Sequence, residues 1–362
     1  MSLLPTLADL SPARLTNPDS AELPLVINCG KYAGSGQFFE PHTSGTLRWL
    51  QYSVDRDNGV PVLGRSQSLR RLLAARQAAR AAVAQDAQVV VSHGPHLSFA
   101  VQHFLEEFGY RGPHVAFAFN YASLPGAAKR ALHRRGFKGI DRFVVYSRME
   151  RQLYHDVFGI PLDRLEFLYW GVNPPKIDPA DGPLVDGPYV SAIGGNSRDY
   201  GCFVDAMRRL PHVKAVIVVR PENLAGLSLL SNVTTMTNIP LGQAMNVLAY
   251  SRFMALPLAG AEIPCGHVTI VAAMFLSRAI IATQSAGIED YLSPEKNALL
   301  VEAENAEQMA AGIDRLWKDS SLADRLGKAG KTFAETNCTE ANTLSALLRI
   351  FEALGVKVEQ GG

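Results

Sequence analysis

Charge of either sign is scarce in this sequence and nearly balanced, with 19% charged residues and a formal net charge of +1. A general nucleic-acid-binding protein would carry a strongly basic domain, so we expect no nucleic-acid partner. Cysteine is also rare: the four cysteines are scattered and form no CxxC pair. Their spacing argues against a disulfide framework or a zinc site and fits reduced thiols in a cytoplasmic protein.

Long hydrophobic runs are absent as well. No stretch reaches the roughly 18 uninterrupted apolar residues that a membrane-spanning helix needs. The first residues, MSLLPTLADLSPARLTNPDS, lack the basic and then apolar pattern of a secretion signal. We therefore expect a cytoplasmic protein without a transmembrane segment.

The chain has 362 residues, of which 47% are hydrophobic. This length exceeds one ordinary core and suits two domains of about 150 to 200 residues each. The best boundary is the segment 171–188, which contains five prolines and no hydrophobic period. We predict an N-terminal domain at 1–176, a linker at 177–188, a second domain at 189–338, and a final helix with a polar tail at 339–362.

Strand and helix patterns alternate in both halves. In the first half we predict strands at 23–30, 88–94, 114–121 and 142–147, and helices at 68–84, 96–109 and 148–159. In the second half we predict strands at 189–195, 214–219, 252–259 and 279–283, and helices at 201–210, 241–250, 305–318, 320–335 and 339–354. This α/β alternation predicts parallel sheets with helices on both faces and ligands at the carboxyl ends of the strands.

A glycine-rich turn, GGNSRDYG, begins at Gly194 between a predicted strand and a predicted helix. Gly194 and Gly195 let backbone N–H groups approach an oxyanion closely, and Arg198 adds a guanidinium group that suits a phosphate. The alternative is that the glycines only shape a tight turn and that Arg198 pairs with Asp199 or Asp205.

A second anion site is predicted where Gly266, His267, Val268 and Thr269 open an apolar helix. The first N–H groups of a helix have no intrahelical partner, and its dipole favours an anion there. Thr269 either caps the helix or binds the anion. His267 is a candidate cation at this site, although a lone histidine is more often a surface or core residue. Arg220, at the end of another strand, is a further donor-binding candidate.

Three segments in the right order resemble glycosyltransferase family 4 of the GT-B glycosyltransferases: 139–174, 189–219 and 251–330. They include Gly-hydrophobic-Pro and Gly-Val-Asn turns and an asparagine-containing turn before LLV. The resemblance implies a GT-B fold, in which two Rossmann-like domains face each other across a cleft and the last helix crosses back to the N-terminal domain.

The resemblance also implies that the glycine-rich turn and the opening helix hold the diphosphate of a nucleotide-sugar, and we expect a UDP-sugar rather than a GDP-sugar. The family usually has two glutamates eight positions apart, the second of which binds ribose hydroxyls in a Glu-Ala-Met segment. This chain has Ala272, Ala273 and Met274 at that segment. Glu262 and Glu289 are our candidates for part of the missing role.

On the acceptor side, the resemblance implies a sugar-contacting histidine after a strand of the N-terminal domain. The strand at 114–121 reaches this place with Asn120, whereas His93 closes the preceding strand. We take His93 and Asn120 as catalytic candidates, with His93 the first candidate for proton handling or sugar contact. Its alternative is a strand-end histidine bonded to the backbone. We see no acidic metal clamp after a strand, and we expect neither a metal nor a cofactor.

The segment 129–148 holds about seven basic residues interleaved with Leu132, Phe137 and Ile140. It suits an anionic membrane surface and therefore a peripheral enzyme with a lipid-linked acceptor, or it steers an anionic sugar acceptor, or it is an ordinary solvated face.

These observations together predict a glycosyltransferase that moves a sugar from a nucleotide-diphosphate donor to a hydroxyl group of a saccharide or glycolipid. The resemblance implies retention of configuration. The alternatives are a nucleotide-sugar 2-epimerase and a non-catalytic sugar-nucleotide or glycan-binding descendant, which the missing glutamate motivates. An NAD-dependent oxidoreductase is disfavoured because the turn is not GxGxxG.

Overall fold

The structure is a computed structural model, and it describes residues 23–32, 34, 36, 39–55, 66–178, 180, 182–260 and 265–358. The chain forms two compact units. The first comprises the described residues up to Val145, residues Arg151–Leu168 and the chain from Leu344 onward. The second comprises Tyr146–Glu150 and Tyr169–Thr343, so it takes in residues 169–176, which the sequence assigned to the first domain.

The first unit contains a six-stranded parallel sheet in the order β2-β1-β3-β4-β5-β6. Its strands are β1 (Leu25–Gly30), β2 (Arg48–Ser53), β3 (Val89–His93), β4 (His114–Phe117), β5 (Arg142–Val145) and β6 (Leu165–Phe167). Its helices are α1 (Phe39–His42), α2 (Gln67–Ala84), α3 (Pro95–Glu107), α4 (Ala127–Gly136) and most of α5 (Arg148–Phe158). Six of the seven alanines of α2 are buried, and their small side chains let this helix lie close to the sheet.

The second unit contains a six-stranded parallel sheet in the order β12-β11-β10-β7-β8-β9. Its strands are β7 (Val190–Ile193), β8 (Ala215–Val219), β9 (Val233–Thr237), β10 (Phe253–Leu256), β11 (Ala279–Thr283) and β12 (Leu299–Val301). Its helices are α6 (Tyr200–Arg208), α7 (Leu241–Tyr250), α8 (His267–Phe275), α9 (Ala306–Lys318) and α10 (Ser320–Asn337). Side-chain caps from Asp199, Asn305 and Asp319 begin α6, α9 and α10.

The last helix, α11 (Glu340–Ala353), begins in the second unit and belongs to the first unit from Leu344 onward. There the ring of Phe351 lies 6.5 Å from that of Trp49. The predicted fold class, two Rossmann-like domains with a returning C-terminal helix, is therefore confirmed.

One predicted strand is too long. The segment 114–121 was expected to be extended throughout, but β4 ends at Phe117 because Ala118 adopts a left-handed φ of 49°. The ring of Phe119 then enters the core, where it is 0% exposed. The residues after Phe117 therefore form a loop, and residues 120–123 of this loop line a cavity.

Candidate functional site

In the second unit, the glycine-rich turn directly follows β7. Gly194 has a φ of 104°, which a residue with a side chain rarely adopts. A Cβ atom on Gly194 would lie 3.0 Å from Arg198 Nη2, and one on Gly195 would lie 2.5 Å from Asn223 Oδ1. The two glycines thus leave room for polar side chains to gather at the end of β7.

Arg198 reaches from this turn to the beginning of α8. Its Nη1 donates to Asn196 O at 2.7 Å, and its Nη2 donates to Thr269 Oγ1 at 3.4 Å. Its Nε is buried and has no hydrogen-bond partner among the described residues. Burial lowers the pKa of Arg198 below its ordinary value. A desolvated guanidinium group with an unused donor suits an anion.

The two acids that the sequence offered as partners of Arg198 are engaged elsewhere. Asp199 Oδ1 accepts a hydrogen bond from Cys202 N at 2.8 Å and caps α6. Asp205 pairs with Arg208 on the same helix. In the described part of the chain, no carboxylate forms an ion pair with Arg198.

The beginning of α8 is shaped by Gly266, whose φ is 103°. No side chain of the described residues caps this helix, so its first N–H groups remain available as donors. Val268 is 57% exposed, and Thr269 is half-buried beside Arg198. His267 is buried instead: its Nε2 hydrogen-bonds to Gly287 O at 2.7 Å, and burial lowers its pKa.

Arg220 follows β8 and lies beside the same turn. Its Nη2 donates to Asn196 Oδ1 at 3.1 Å, and its Nε lies 3.2 Å from Glu222 Oε1. Asn223 Nδ2 donates to Gly195 O at 2.8 Å. The ends of β7 and β8 and the beginning of α8 therefore bring together Gly194, Gly195, Arg198, Arg220, Gly266 and Thr269.

Of the two acids proposed for the ribose, only Glu289 lies among the described residues. Glu289 is exposed on the turn after β11, and Glu262 lies outside the described residues. Ala272 is 6% exposed and packs in the core of the second unit. Asp290, the residue that follows Glu289, accepts a hydrogen bond from the backbone N–H of Arg148 on Oδ2 at 2.7 Å.

The first unit contains a cavity of about 390 Å³ at the carboxyl ends of its strands, in the size range of small-molecule sites. We call it the strand-end cavity. It is lined by residues that follow β1, β2, β3 and β4 and by the first turns of α2 and α3: Lys31, Val54, Gln67, Arg71, His93, Gly94, Pro95, His96, Leu97, Asn120, Tyr121, Ala122 and Ser123. The two catalytic candidates, His93 and Asn120, both line it.

His93 is held by a side-chain network rather than by the backbone contact that was its alternative. Its Nε2 lies 2.7 Å from Asn28 Oδ1, and Asn28 Nδ2 donates to Gln51 Oε1 at 2.6 Å. Because Asn28 Oδ1 can only accept, the His93 proton is on Nε2 and the lone pair is on Nδ1. Burial lowers the pKa of His93 to about 4, so the ring is neutral at pH 7.

Among the basic and histidine side chains that line the cavity, three were not site candidates in the sequence analysis: Lys31, Arg71 and His96. Lys31 immediately follows β1, and His96 lies three residues after His93, which ends β3. The positions of Lys31 and His96 shortly after β1 and β3 were a usable signal for a ligand site. Arg71 lies in the helix that we predicted at 68–84, and only the packing of α2 beside the sheet shows that this residue reaches a cavity.

The basic segment 129–148 is exposed only in part. The helix α4 presents four exposed basic side chains and one large exposed apolar side chain, namely Lys129, Arg130, Leu132, Arg134 and Arg135. Phe137 and Ile140, which the sequence placed in the same patch, are 2% and 0% exposed and belong to the core.

Within the described ranges, no three His, Cys, Asp or Glu side chains are grouped so as to hold a metal ion. Among the helices that the structure describes, none is both long and apolar enough to cross a membrane.

Both halves of the sequence match family models of glycosyltransferases. The sequence model for Glycosyltransferase Family 4 matches residues 33–176, and the model for Glycosyl transferases group 1 matches residues 189–319. No curated protein sequence matches the chain at a significant level.

Several solved structures share the fold at low identity. HepE from Anabaena in complex with UDP is 14% identical with a TM-score of 0.71, and the alignment covers 91% of this chain and 100% of that one. Sucrose-phosphate synthase from Thermosynechococcus elongatus is 14% identical with a TM-score of 0.71, over 92% of this chain and 99% of that one. A glycosyltransferase from Rickettsia africae is 15% identical with a TM-score of 0.66, over 92% and 99% respectively.

Proposed function

Since the chain belongs to the family 4 and group 1 glycosyltransferases, we propose that it transfers a sugar from a UDP-sugar to a hydroxyl group of a saccharide or lipid-linked saccharide. The observation that carries this proposal is the buried guanidinium group of Arg198, whose Nε has no partner among the described residues and whose Nη2 touches Thr269 at the beginning of α8. The preference for UDP is supported by the fold relatives, since HepE has been crystallised with UDP and with UDP-glucose.

In this proposal the diphosphate lies against Gly194 and Gly195 and between Arg198 and the first turn of α8. As the bond between the anomeric carbon and the diphosphate oxygen breaks, negative charge builds up on the leaving UDP. Arg198, Arg220 and the unpaired N–H groups at the α8 N-terminus stabilise that charge. These groups supply positive charge without a metal ion, so we propose metal-independent transfer.

His93 and Asn120 are proposed to contact the sugar and the acceptor. The neutral His93 ring, with its lone pair on Nδ1, accepts a hydrogen bond from a sugar hydroxyl and does not act as an imidazolium acid. The acceptor oxygen bonds to the anomeric carbon, and its proton leaves with the UDP product. We propose retention of configuration, as in the family members that the sequence resembles.

The exposed basic face of α4 is proposed to bind anionic lipid headgroups, which would place the enzyme beside a lipid-linked acceptor. Leu132, which is 54% exposed, is the apolar residue that would enter the interface. In the described part of the chain, no carboxylate pairs with the four basic side chains of this face. Their charge is therefore available to a surface of opposite sign.

The experiment that tests the donor part is thermal unfolding with UDP, GDP, ADP and their glucose conjugates, each with and without EDTA. A ligand that binds only the native state raises its unfolding temperature. We expect stabilisation by UDP and UDP-glucose that EDTA leaves unchanged. Stabilisation by GDP alone would contradict the choice of base, and loss of the effect in EDTA would contradict metal independence.

A further inference from the structure

We propose that the strand-end cavity binds an acceptor whose saccharide carries an anionic group, either a phosphate ester or a carboxylate. This inference rests on the proposed function, because it names the acceptor class of the same enzyme. The two charged side chains that line the cavity, Lys31 and Arg71, are both cationic. No carboxylate lines it among the described residues.

Arg71 is the strongest element of this site. It projects from the first turns of α2, is half-buried, and burial lowers its pKa. Among the described residues, no carboxylate forms an ion pair with it. Removing a guanidinium group from water without a counter-charge costs free energy, and a bound anion offsets that cost.

The beginning of α3 adds donors to the same wall. Gly94 precedes the helix with a φ of 82°, and no side chain of the described residues caps it. Pro95 has no N–H group, so the free donors of this turn come from His96 and Leu97. All four residues line the cavity together with Arg71.

His96, which also lines the cavity, lies within the electrostatic influence of Arg71. Burial lowers its pKa, and the charges of Arg71 and Lys129 lower it further. A neutral saccharide would leave the charge of Arg71 uncompensated, whereas an anion would compensate it. His93 and Asn120, which line the same cavity, carry no charge at pH 7 and are left for the sugar hydroxyls.

Calorimetry on the full chain with saturating UDP tests this inference, with glucose, glucose 6-phosphate, glucuronic acid and inorganic phosphate as probes. We expect at least one anionic hexose to bind at least tenfold more tightly than glucose. The probe that wins distinguishes a phosphate ester from a carboxylate. Equal affinity for glucose and both anionic hexoses would overturn the inference.

Two variants on the same helix locate the effect. Arg71→Gln removes the cavity cation, and we expect it to abolish the preference for the anionic hexose, because a charge-assisted hydrogen bond contributes about tenfold or more in affinity. Arg80→Gln removes an exposed arginine of α2 and should keep the preference. An anionic preference that survives in Arg71→Gln would also overturn the inference.

A separate titration with UDP distinguishes this inference from the proposed function. Both variants should bind UDP with the affinity of the unmodified protein, since the donor residues lie in the second unit. Normal UDP binding without any anionic preference contradicts only the acceptor class. Absence of UDP binding by the unmodified protein contradicts the proposed function itself.

Discussion

Arg198 Nη2 donates to Thr269 Oγ1 across 3.4 Å, and this contact joins the turn after β7 to the first turn of α8. Both elements present backbone N–H groups at the end of a parallel sheet, where ligands of such folds bind. The contact fixes the guanidinium group, whose Nε is left without a partner among the described residues. A loop and a helix that are distant in sequence therefore form one cationic site.

The close packing at Gly195 should be sensitive to a single methyl group. In Gly195→Ala, the added Cβ would lie 2.5 Å from Asn223 Oδ1 and 3.1 Å from Arg220 Nε, so these two side chains must move away from the turn. We expect a loss of about 1–3 kcal/mol in the free energy of unfolding and weaker UDP binding, measured by urea unfolding and calorimetry. Gly242→Ala is the control, because nothing lies within 4 Å of its Cβ. Unchanged stability and UDP affinity in Gly195→Ala would show that the turn adapts.

His93 should affect turnover rather than donor affinity. His93→Ala removes the hydrogen-bond acceptor from the strand-end cavity, and we expect kcat to fall at least about tenfold while the Kd for UDP stays constant. His103→Ala, an exposed histidine of α3, is the matched control. If His93→Ala weakened UDP binding to the same extent as turnover, His93 would be needed for folding instead.

The buried histidine His114 should make stability depend on pH. It is 2% exposed, its Nδ1 faces Gln102 Oε1 and its Nε2 faces Ser92 Oγ, each at 2.7 Å. Burial lowers its pKa to about 3 in the folded protein, against about 6.5 in an unfolded chain.

Below pH 6.5 the unfolded state therefore binds a proton that the folded state does not. This group lowers the free energy of unfolding by about 1.4 kcal/mol per pH unit as pH falls from 6.5 towards 3. Urea unfolding between pH 4.5 and 8 measures how the free energy of unfolding changes with pH. In His114→Gln this slope should be smaller by about 1.4 kcal/mol per pH unit below pH 6.5, the contribution of one proton, and unchanged above pH 7.5. An unaltered slope below pH 6.5 would mean that His114 titrates normally when folded.

Membrane binding should depend on α4. We expect the protein to co-sediment with vesicles that contain phosphatidylglycerol, and binding should weaken with salt. Lys129→Glu with Arg135→Glu should reduce binding at least about tenfold, because each basic residue near an anionic surface contributes about 1 kcal/mol.

The matched control reverses two exposed lysines of the second unit, Lys296→Glu with Lys328→Glu, and changes the net charge equally. Equal loss of binding in both variants, or binding to neutral vesicles that salt leaves unchanged, would remove α4 from the proposed interface.

Most of the fold could be predicted because the central parallel strands are continuous apolar runs and the apolar residues of the helices recur with the helical period. The strands β2, β6, β9 and β12 were missed, and all four lie at the sheet edges. Polar residues interrupt the hydrophobic pattern of β2 and β9, and β6 and β12 have only three residues each. The left-handed conformation of Ala118, which ends β4, could not be predicted, because alanine rarely adopts it. The resemblance to the glycosyltransferase family, carried by both halves, is confirmed by the family matches.

The candidate site could be predicted where residues follow strands or glycines, as Gly194, Arg198 and His93 do. The pairing of His93 with Asn28 could not, because it depends on how β1 and β3 lie side by side. His267 has the residue type of an anion ligand, but its ring nitrogen Nε2 bonds to Gly287 O. The packing of neighbouring loops decides whether a side chain at the beginning of a helix points towards the ligand or into the protein.

The most direct test of the central claim is calorimetric titration of UDP into the unmodified protein, Arg198→Gln and the control Arg208→Gln. Arg208 is exposed on α6 and pairs with Asp205, so its loss should leave UDP affinity unchanged. We predict micromolar or tighter binding by the unmodified protein and a loss of about 10-fold to 150-fold in Arg198→Gln. Equal UDP affinity in all three proteins would contradict the assignment of the donor site to Arg198 and the beginning of α8.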